Sequence, residues 1–297
     1  MSLLDVIALG ATAGAGAVGY GYAESMAFTT RHLDANVLPQ GSEPIRVLHL
    51  SDLHITPAQT RKIRWVNSLN ALQPDLVVVT GDFLAHQLAV PAVIEALGAL
   101  TERPGLFVLG SNDYFAPELK NPFMYFSKSR TIKGHGRSLP TQDLVDELTR
   151  AGWSDLNNAQ TSLSIGALQI HARGTNDPHI KKDDYAKVAG KFADGAFALG
   201  VTHAPYSRVL ESFSRDDADL VLAGHTHGGQ VCIPFYGALV TNCDLPTKQA
   251  KGLSTFTTSQ RSMPLHVSAG VGTSPYTQIR IACRPEATLL TLHSKNN

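Results

Sequence analysis

Leu220-Val221-Leu222-Ala223-Gly224-His225-Thr226-His227-Gly228-Gly229 runs from an apolar stretch straight into two histidines set among glycines. The apolar run reads as a buried strand. The histidines therefore stand where a strand leaves the core and turns. The flanking glycines permit backbone conformations closed to other residues and let a second group approach closely. Two imidazoles on such a turn face either one centre or two adjacent ones. A polar turn with two incidental histidines is the competing reading, and the other strand ends decide between them.

The same event recurs upstream. Ile45-Arg46-Val47-Leu48-His49-Leu50 ends in Ser51-Asp52-Leu53-His54, and Leu76-Val77-Val78-Val79-Thr80 ends in Gly81-Asp82. Leu106 to Leu109 ends in Gly110-Ser111-Asn112-Asp113, and Ala196 to Val201 in Thr202-His203-Ala204-Pro205. Between these runs, Ile63, Val66, Leu69 and Leu72 recur at helical spacing, with Pro74 as a stop. Pro91 to Leu100, Thr141 to Ala151 and Tyr206 to Phe213 are helical in the same way. Shorter strand-like pieces lie at Ser162 to Ile165, Leu168 to Ala172, Leu265 to Ala269, Ile279 to Cys283 and Ala287 to Leu292. Strands alternating with helices predict an α/β fold whose polar strand ends converge on a site. Taken singly, an Asp after a strand is often a helix cap and an Asn a turn residue. Recurrence at five strand ends is what gives the set meaning.

The chain has 297 residues, enough for one large domain or two small ones. Hydrophobic residues make up 43% and charged residues 17%, so a sizeable core is expected. Net charge is zero and no basic stripe appears, which excludes a nucleic-acid surface of the electrostatic kind. Cys232, Cys243 and Cys283 are odd in number and lack Cys-x-x-Cys spacing. They read as small buried residues rather than a disulfide framework or zinc ribbon.

Residues 1–28 form a hydrophobic N-terminal segment, uncharged between Asp5 and Glu24. Its length approaches the roughly 20 residues that cross a bilayer core. Membrane association through residues 3–23 is the expectation, with a soluble Gly/Ala-rich segment as the alternative. Arg31 behind it points to a cytoplasmic C-terminal side. Residues 29–44, with Pro39, Gly41 and Pro44, read as a linker, and 45–293 as the main domain.

Asp52, His54, Asp82, Asn112, His203, His225 and His227 are the candidate metal ligands. Carboxylates, imidazoles and one amide oxygen suit Mn²⁺, Fe or Zn²⁺. The set is too large for one tetrahedral zinc. It fits two divalent ions roughly 3.5–4 Å apart sharing a carboxylate.

The ordered motifs Asp52-Leu53-His54, Gly81-Asp82, Ser111-Asn112-Asp113-Tyr114, His203 and Gly224-His225-Thr226-His227 resemble the calcineurin-like metallophosphoesterase superfamily, over roughly Ile45 to Leu292. The N-terminal segment and linker resemble its membrane-anchored bacterial branch. The resemblance implies a four-layer α/β/β/α sandwich. It implies a first ion on Asp52, His54 and His227, a second on Asn112, His203 and His225, and Asp82 bridging. The implied reaction is in-line attack on a phosphoester by a metal-bridging hydroxide. The implied substrate is a lipid-linked or nucleotide-like phosphate, cleaved as a phosphodiester or pyrophosphate. A same-fold metal-binding scaffold without activity is the alternative.

The family's Gly-Asn-His-Asp/Glu motif carries a histidine where this chain, aligned as above, has Asp113. Three readings stay open. Asp113 is protonated in the site; or it orients another donor such as His179, His135 or His86; or the leaving group needs no protein acid. Phe123 to Phe126, beside Lys128, Arg130 and Lys133, read either as a lid for an apolar tail and anionic head or as loop packing. Gly270-Val271-Gly272-Thr273-Ser274-Pro275 reads as a turn beside the metals, since no P-loop lysine accompanies it.

Overall fold

Successive residues of the Ile45–Leu50 strand enter two different cores. Ile45 and Val47 join one apolar cluster, Leu48 and Leu50 another. This period-two division builds the whole molecule, and the strand is buried on both faces. The computed structural model describes residues 3–118 and 136–295.

Two six-stranded sheets stack face to face. The first contains β1 (Thr29–Leu38), β2 (Ile45–Leu50), β3 (Leu76–Thr80), β4 (Gly105–Val108), β5 (Ser154–Asp155) and β14 (Glu286–Ser294), in spatial order β1-β14-β2-β3-β4-β5. The second contains β6 (Gln160–Ile165), β7 (Leu168–Gly174), β8 (Phe197–Val201), β9 (Leu220–Ala223), β12 (Gly252–Thr257) and β13 (Ser262–Val267), in order β12-β13-β9-β8-β7-β6. A small hairpin, β10 (Cys232–Ile233) with β11 (Gly237–Ala238), follows the double-histidine turn. β2, β3 and β4 run parallel, as do β7, β8 and β9.

Helices cover the outer faces. α2 (Thr60–Ser68), α3 (Val90–Leu97) and α4 (Thr141–Arg150) set Ile63, Val66, Val93, Leu97, Leu144 and Leu148 against Leu50, Val79 and Phe107 of the first sheet. α5 (Ser207–Arg215) sets Val209, Leu210 and Phe213 against Val221, Leu265 and Val267 of the second. Val47, Val78, Val108, Leu199, Leu222 and Leu290 fill the space between the sheets. The fold is α/β, as the alternating pattern led us to expect, and its layers are α/β/β/α, as the family resemblance implied.

The stretch read as a linker is different. Thr29–Leu38 is β1, paired in parallel with β14. Its Ala35, Val37 and Leu38 are buried in the inter-sheet core, and Leu33 packs against it. A period-two face hidden beside Pro39 and Gly41 makes it an edge strand. Ile279 to Cys283, read as a strand, is irregular apart from a bridge between Val231 and Ile281.

The N-terminal expectation is also corrected. Leu3–Ser25 is a helix, α1, of 23 residues. Among the described residues, however, no helix is long and apolar enough to cross a membrane. Glycine and alanine, frequent in its sequence, contribute little transfer energy. The membrane-associated localisation expected from residues 3–23 is thereby overturned. The helix ends against the domain, where Glu24 and Ser25 are buried. The Phe123–Phe126 lid reading, with Lys128, Arg130 and Lys133, and the donor candidate His135 lie outside the described residues.

Candidate metal centre

The turns after β2, β3, β8 and β9 meet, and they do so through backbone that other positions avoid. Asp52 (φ 51°), His54 (43°), Asp82 (56°), His225 (71°) and His227 (49°) all lie in the left-handed region. That region is uncommon for side-chain-bearing residues and costs about 1–3 kcal/mol each when held there. Cross-strand bonds hold it: Asp52 N donates to Gly81 O and His54 N to Asp82 O, both at 2.9 Å. Gly224 is needed for close approach, since a Cβ there would stand 1.7 Å from Ser51 Oγ and 2.8 Å from Asp52 Oδ2. His225 N donates to that same Asp52 Oδ2 at 3.0 Å.

Among the described residues, ligand-type atoms gather in two groups, Asp52 with His54 and His227, and Asp52 with Asp82 and His203. His54 Nε2 and His203 Nε2 lie 3.5 and 3.6 Å from Asp82 Oδ2, and His227 Nε2 lies 3.6 Å from Asp52 Oδ1. These are too long for hydrogen bonds. They suit donors sharing an ion, because bonds of about 2.1 Å at tetrahedral angles separate donors by roughly 3.4 Å. Asp52 Oδ1, both ring nitrogens of His54 and His203 Nε2 are buried with no hydrogen-bond partner. Such orphans are costly. A cation among them removes the cost, so the residues fit a divalent metal.

The imidazoles are oriented from behind. His203 Nδ1 donates to Thr80 O at 2.6 Å, which turns Nε2 toward Asp82. Burial opposes charge on His203, but Asp82, Asp177, Asp52 and the Thr80 carbonyl outweigh it and raise its pKa to about 9. Positive charge is thus favoured where these carboxylates converge. Burial, followed by the repulsion of His227 and Lys62, holds His54 well below the usual imidazole range. Burial likewise lowers His225 and His227.

Five of the expected ligands, Asp52, His54, Asp82, His203 and His227, lie in the two groups. Asn112 reaches the site through Asp82: its backbone N donates to Oδ1 and its Nδ2 to Oδ2, each at 2.7 Å. His225 stands beside His203, 5.1 Å between ring centroids, with its Nε2 3.2 Å from Asn242 O.

Asp113 is buried under the Asp82 turn. Its two oxygens accept backbone N–H groups from Asp82, Phe83, Leu84 and Gly110 at 2.7–3.0 Å. Burial, then the Asp82 charge, push its carboxyl up to about 7, against the pull of those donors. His179 packs against His225, 4.5 Å between centroids, and its Nδ1 lies 3.1 Å from the Tyr206 hydroxyl. His86 lies apart, its Nδ1 accepting from Leu88 N at 3.1 Å, and lines a cleft of about 330 Å³ with Gln87, Arg137 and Tyr276.

One further residue of the site carries no signal in the sequence. Asp177 is buried, accepts from His179 N at 2.7 Å, and leaves Oδ2 without a partner. Burial raises its pKa to about 7, and its charge acts on His203. It sits in the Gly174 to His179 loop, where an Asp before a Pro reads as an ordinary turn residue.

The model of the calcineurin-like phosphoesterase family matches residues 45–229. The chain belongs to that family. This calcineurin-like phosphoesterase is 25% identical to the uncharacterized metallophosphoesterase YkuE of Bacillus subtilis, over 99% of this chain and 96% of that one. It is 27% identical to the phosphodiesterase YaeI of Escherichia coli, over 84% and 82% of the two chains. It is 25% identical to the UDP-2,3-diacylglucosamine pyrophosphatase LpxG of Chlamydia trachomatis, over 83% of each. It is a metal-dependent phosphoester hydrolase, with divalent metal as the family's cofactor and a phosphoester as substrate.

Proposed function

We propose that this enzyme holds two divalent ions and hydrolyses a phosphodiester or pyrophosphate on a lipid-linked or nucleotide-like substrate. Asp52, His54 and His227 hold one ion, Asn112, His203 and His225 the other, and Asp82 contacts both. The reading is carried by the buried, partnerless donor atoms of Asp52, His54 and His203 that face Asp82 and His227. Mn²⁺ is the metal we assign, with Fe or Zn²⁺ also compatible with these ligands. When bound, the ions supply Lewis acidity and a water of lowered pKa.

The chain's own residues orient and hold. The Thr80 carbonyl and the Gly272 carbonyl fix His203 and His227 by their Nδ1 atoms. Asn112 restrains both oxygens of Asp82. Asp113, with its oxygens occupied by N–H donors, holds the Asp82 turn and gives no proton to substrate. His179, supported by Tyr206, is the residue we assign to the leaving-group side. The substrate class is supported by the printed activities of YaeI and LpxG, a phosphodiesterase and a pyrophosphatase of a nucleotide-linked lipid.

The test is hydrolysis of bis-p-nitrophenyl phosphate with added Mn²⁺. Turnover is expected in the wild type, with a loss of at least about 10²-fold in His203→Ala, since the ions contribute several kcal/mol. Equal rates in the two proteins would sink the proposal. For His179→Gln, hydrolysis of a diester with an alkyl-alcohol leaving group is expected to slow by about 10²–10⁴-fold. p-Nitrophenolate, which departs without a proton, is affected far less. Equal losses on both substrates would remove His179 from that role.

A further inference from the structure

The Gly270 to Pro275 turn lies along the end of β2. Val271 N donates to Ser51 O at 2.9 Å and Gly272 N to Asp52 O at 2.6 Å. The Gly272 carbonyl then serves two donors. Arg280 Nη2 reaches it at 2.7 Å, and His227 Nδ1 lies 3.2 Å away. A carbonyl has no proton to give, so the proton of the second contact sits on His227 Nδ1. That tautomer leaves the lone pair on Nε2, the atom facing Asp52 Oδ1.

Arg280 is wholly buried. Carbonyls hold it: Nη2 also donates to Ala269 O at 2.8 Å and Gly270 O at 3.1 Å, and Nη1 lies 3.4 Å from His227 O and Cys283 O. Burying a guanidinium among neutral acceptors is costly. Here the acceptors are the loop beneath Asp52 and the turn that carries His227, so one planar group sets their spacing. Its backbone is fixed in turn by α1. Arg280 N donates to Gly21 O at 2.9 Å, and Cys283 N to Glu24 Oε1 at 2.6 Å.

We propose that Arg280 is the positioning residue for the Asp52–His54–His227 half of the site, anchoring the Gly272 carbonyl so that His227 keeps its proton on Nδ1 and presents Nε2 to a divalent cation. This rests on His227 being a metal ligand.

The test compares the full-length wild type with Arg280→Met and Arg280→Lys by two readouts. The first is the imidazole ¹⁵N–¹H correlation spectrum of the metal-free protein, which reports the His227 tautomer. The second is a Mn²⁺ titration followed by electron paramagnetic resonance. His227 is expected as the Nδ1–H tautomer in the wild type and as a mixture in Arg280→Met. One of two Mn²⁺ ions is expected to bind about 10- to 100-fold more weakly in Arg280→Met, as when other orienting partners of metal ligands are lost. Arg280→Lys, which keeps the charge but not the fork, is expected between the two. A folded Arg280→Met with an unchanged tautomer and Mn²⁺ affinities equal to the wild type overturns the proposal. If Arg280→Met does not fold, the same outcome in Arg280→Lys overturns it. Should the wild type bind no Mn²⁺ while the tautomer still changes on substitution, the metal reading fails and the positioning of His227 by Arg280 stands.

Discussion

In Asp82→Asn, Mn²⁺-dependent hydrolysis of bis-p-nitrophenyl phosphate is expected to fall by at least about 10³-fold, because the Lewis-acid contribution of several kcal/mol is lost at about 1.4 kcal/mol per tenfold. Asp82 is the carboxylate nearest both His54 and His203. Asn112 already donates to both of its oxygens. An asparagine sets an N–H₂ group against one of those donors and removes the negative charge that two imidazoles face. Metal content, measured by mass spectrometry after Mn²⁺ loading and desalting, should fall with the rate. Stability of the metal-free protein should not fall with it. Burial and the Asp52 charge raise the Asp82 carboxyl, so its anion is unfavourable without a cation. A metal-free thermal midpoint equal to or above that of the wild type, with activity lost, is the expected pair of results. Activity within tenfold of wild type would rule out a shared role for Asp82.

Gly110→Ala is expected to cost at least about 10²-fold in the same assay and about 1–3 kcal/mol of stability, the usual penalty for overpacking a tight core. Gly110 holds an ordinary φ of −110°, so alanine brings no backbone strain. The obstacle is steric. A Cβ would lie 2.3 Å from Asp82 Oδ1 and 2.7 Å from His203 Cε1 and Nε2. One methyl group thus wedges apart two residues whose separation sets the site. Unchanged activity together with an unchanged urea midpoint would show that this packing is looser than the distances imply.

The strand ends were legible because each follows an unbroken apolar run, and such runs mark buried parallel strands even without partners in view. Asp52, His54, Asp82, His203 and His227 were readable for that reason. β1 was harder to read. Its Leu33, Ala35 and Val37 alternate correctly, but Thr29 to Asp34 is mostly polar and Pro39, Gly41 and Pro44 follow closely. An edge strand buried on one face leaves only half a signal. Asp113 could be seen to depart from the family's motif, but not to cap four backbone N–H groups from two segments of chain, because that role exists only after folding. Arg280 and Asp177 are similar: neither has a local pattern, and each acquires its part from loops distant in sequence. α1 shows the opposite failure. Its length matched a membrane span, while among the described residues no helix is long and apolar enough for one.

The strand order of the first sheet also has a kinetic consequence. β14 lies between β1 and β2, parallel to the one and antiparallel to the other. It comes after every other described strand in the chain, yet it is inserted into the sheet rather than added at its margin. Until Glu286–Ser294 has left the ribosome, β2 shows an unpaired edge and β1 has no neighbour. Contacts of such long sequence separation form slowly. A nascent chain stalled before this strand is therefore a species with open sheet edges, the form in which chaperone capture or aggregation competes with completion.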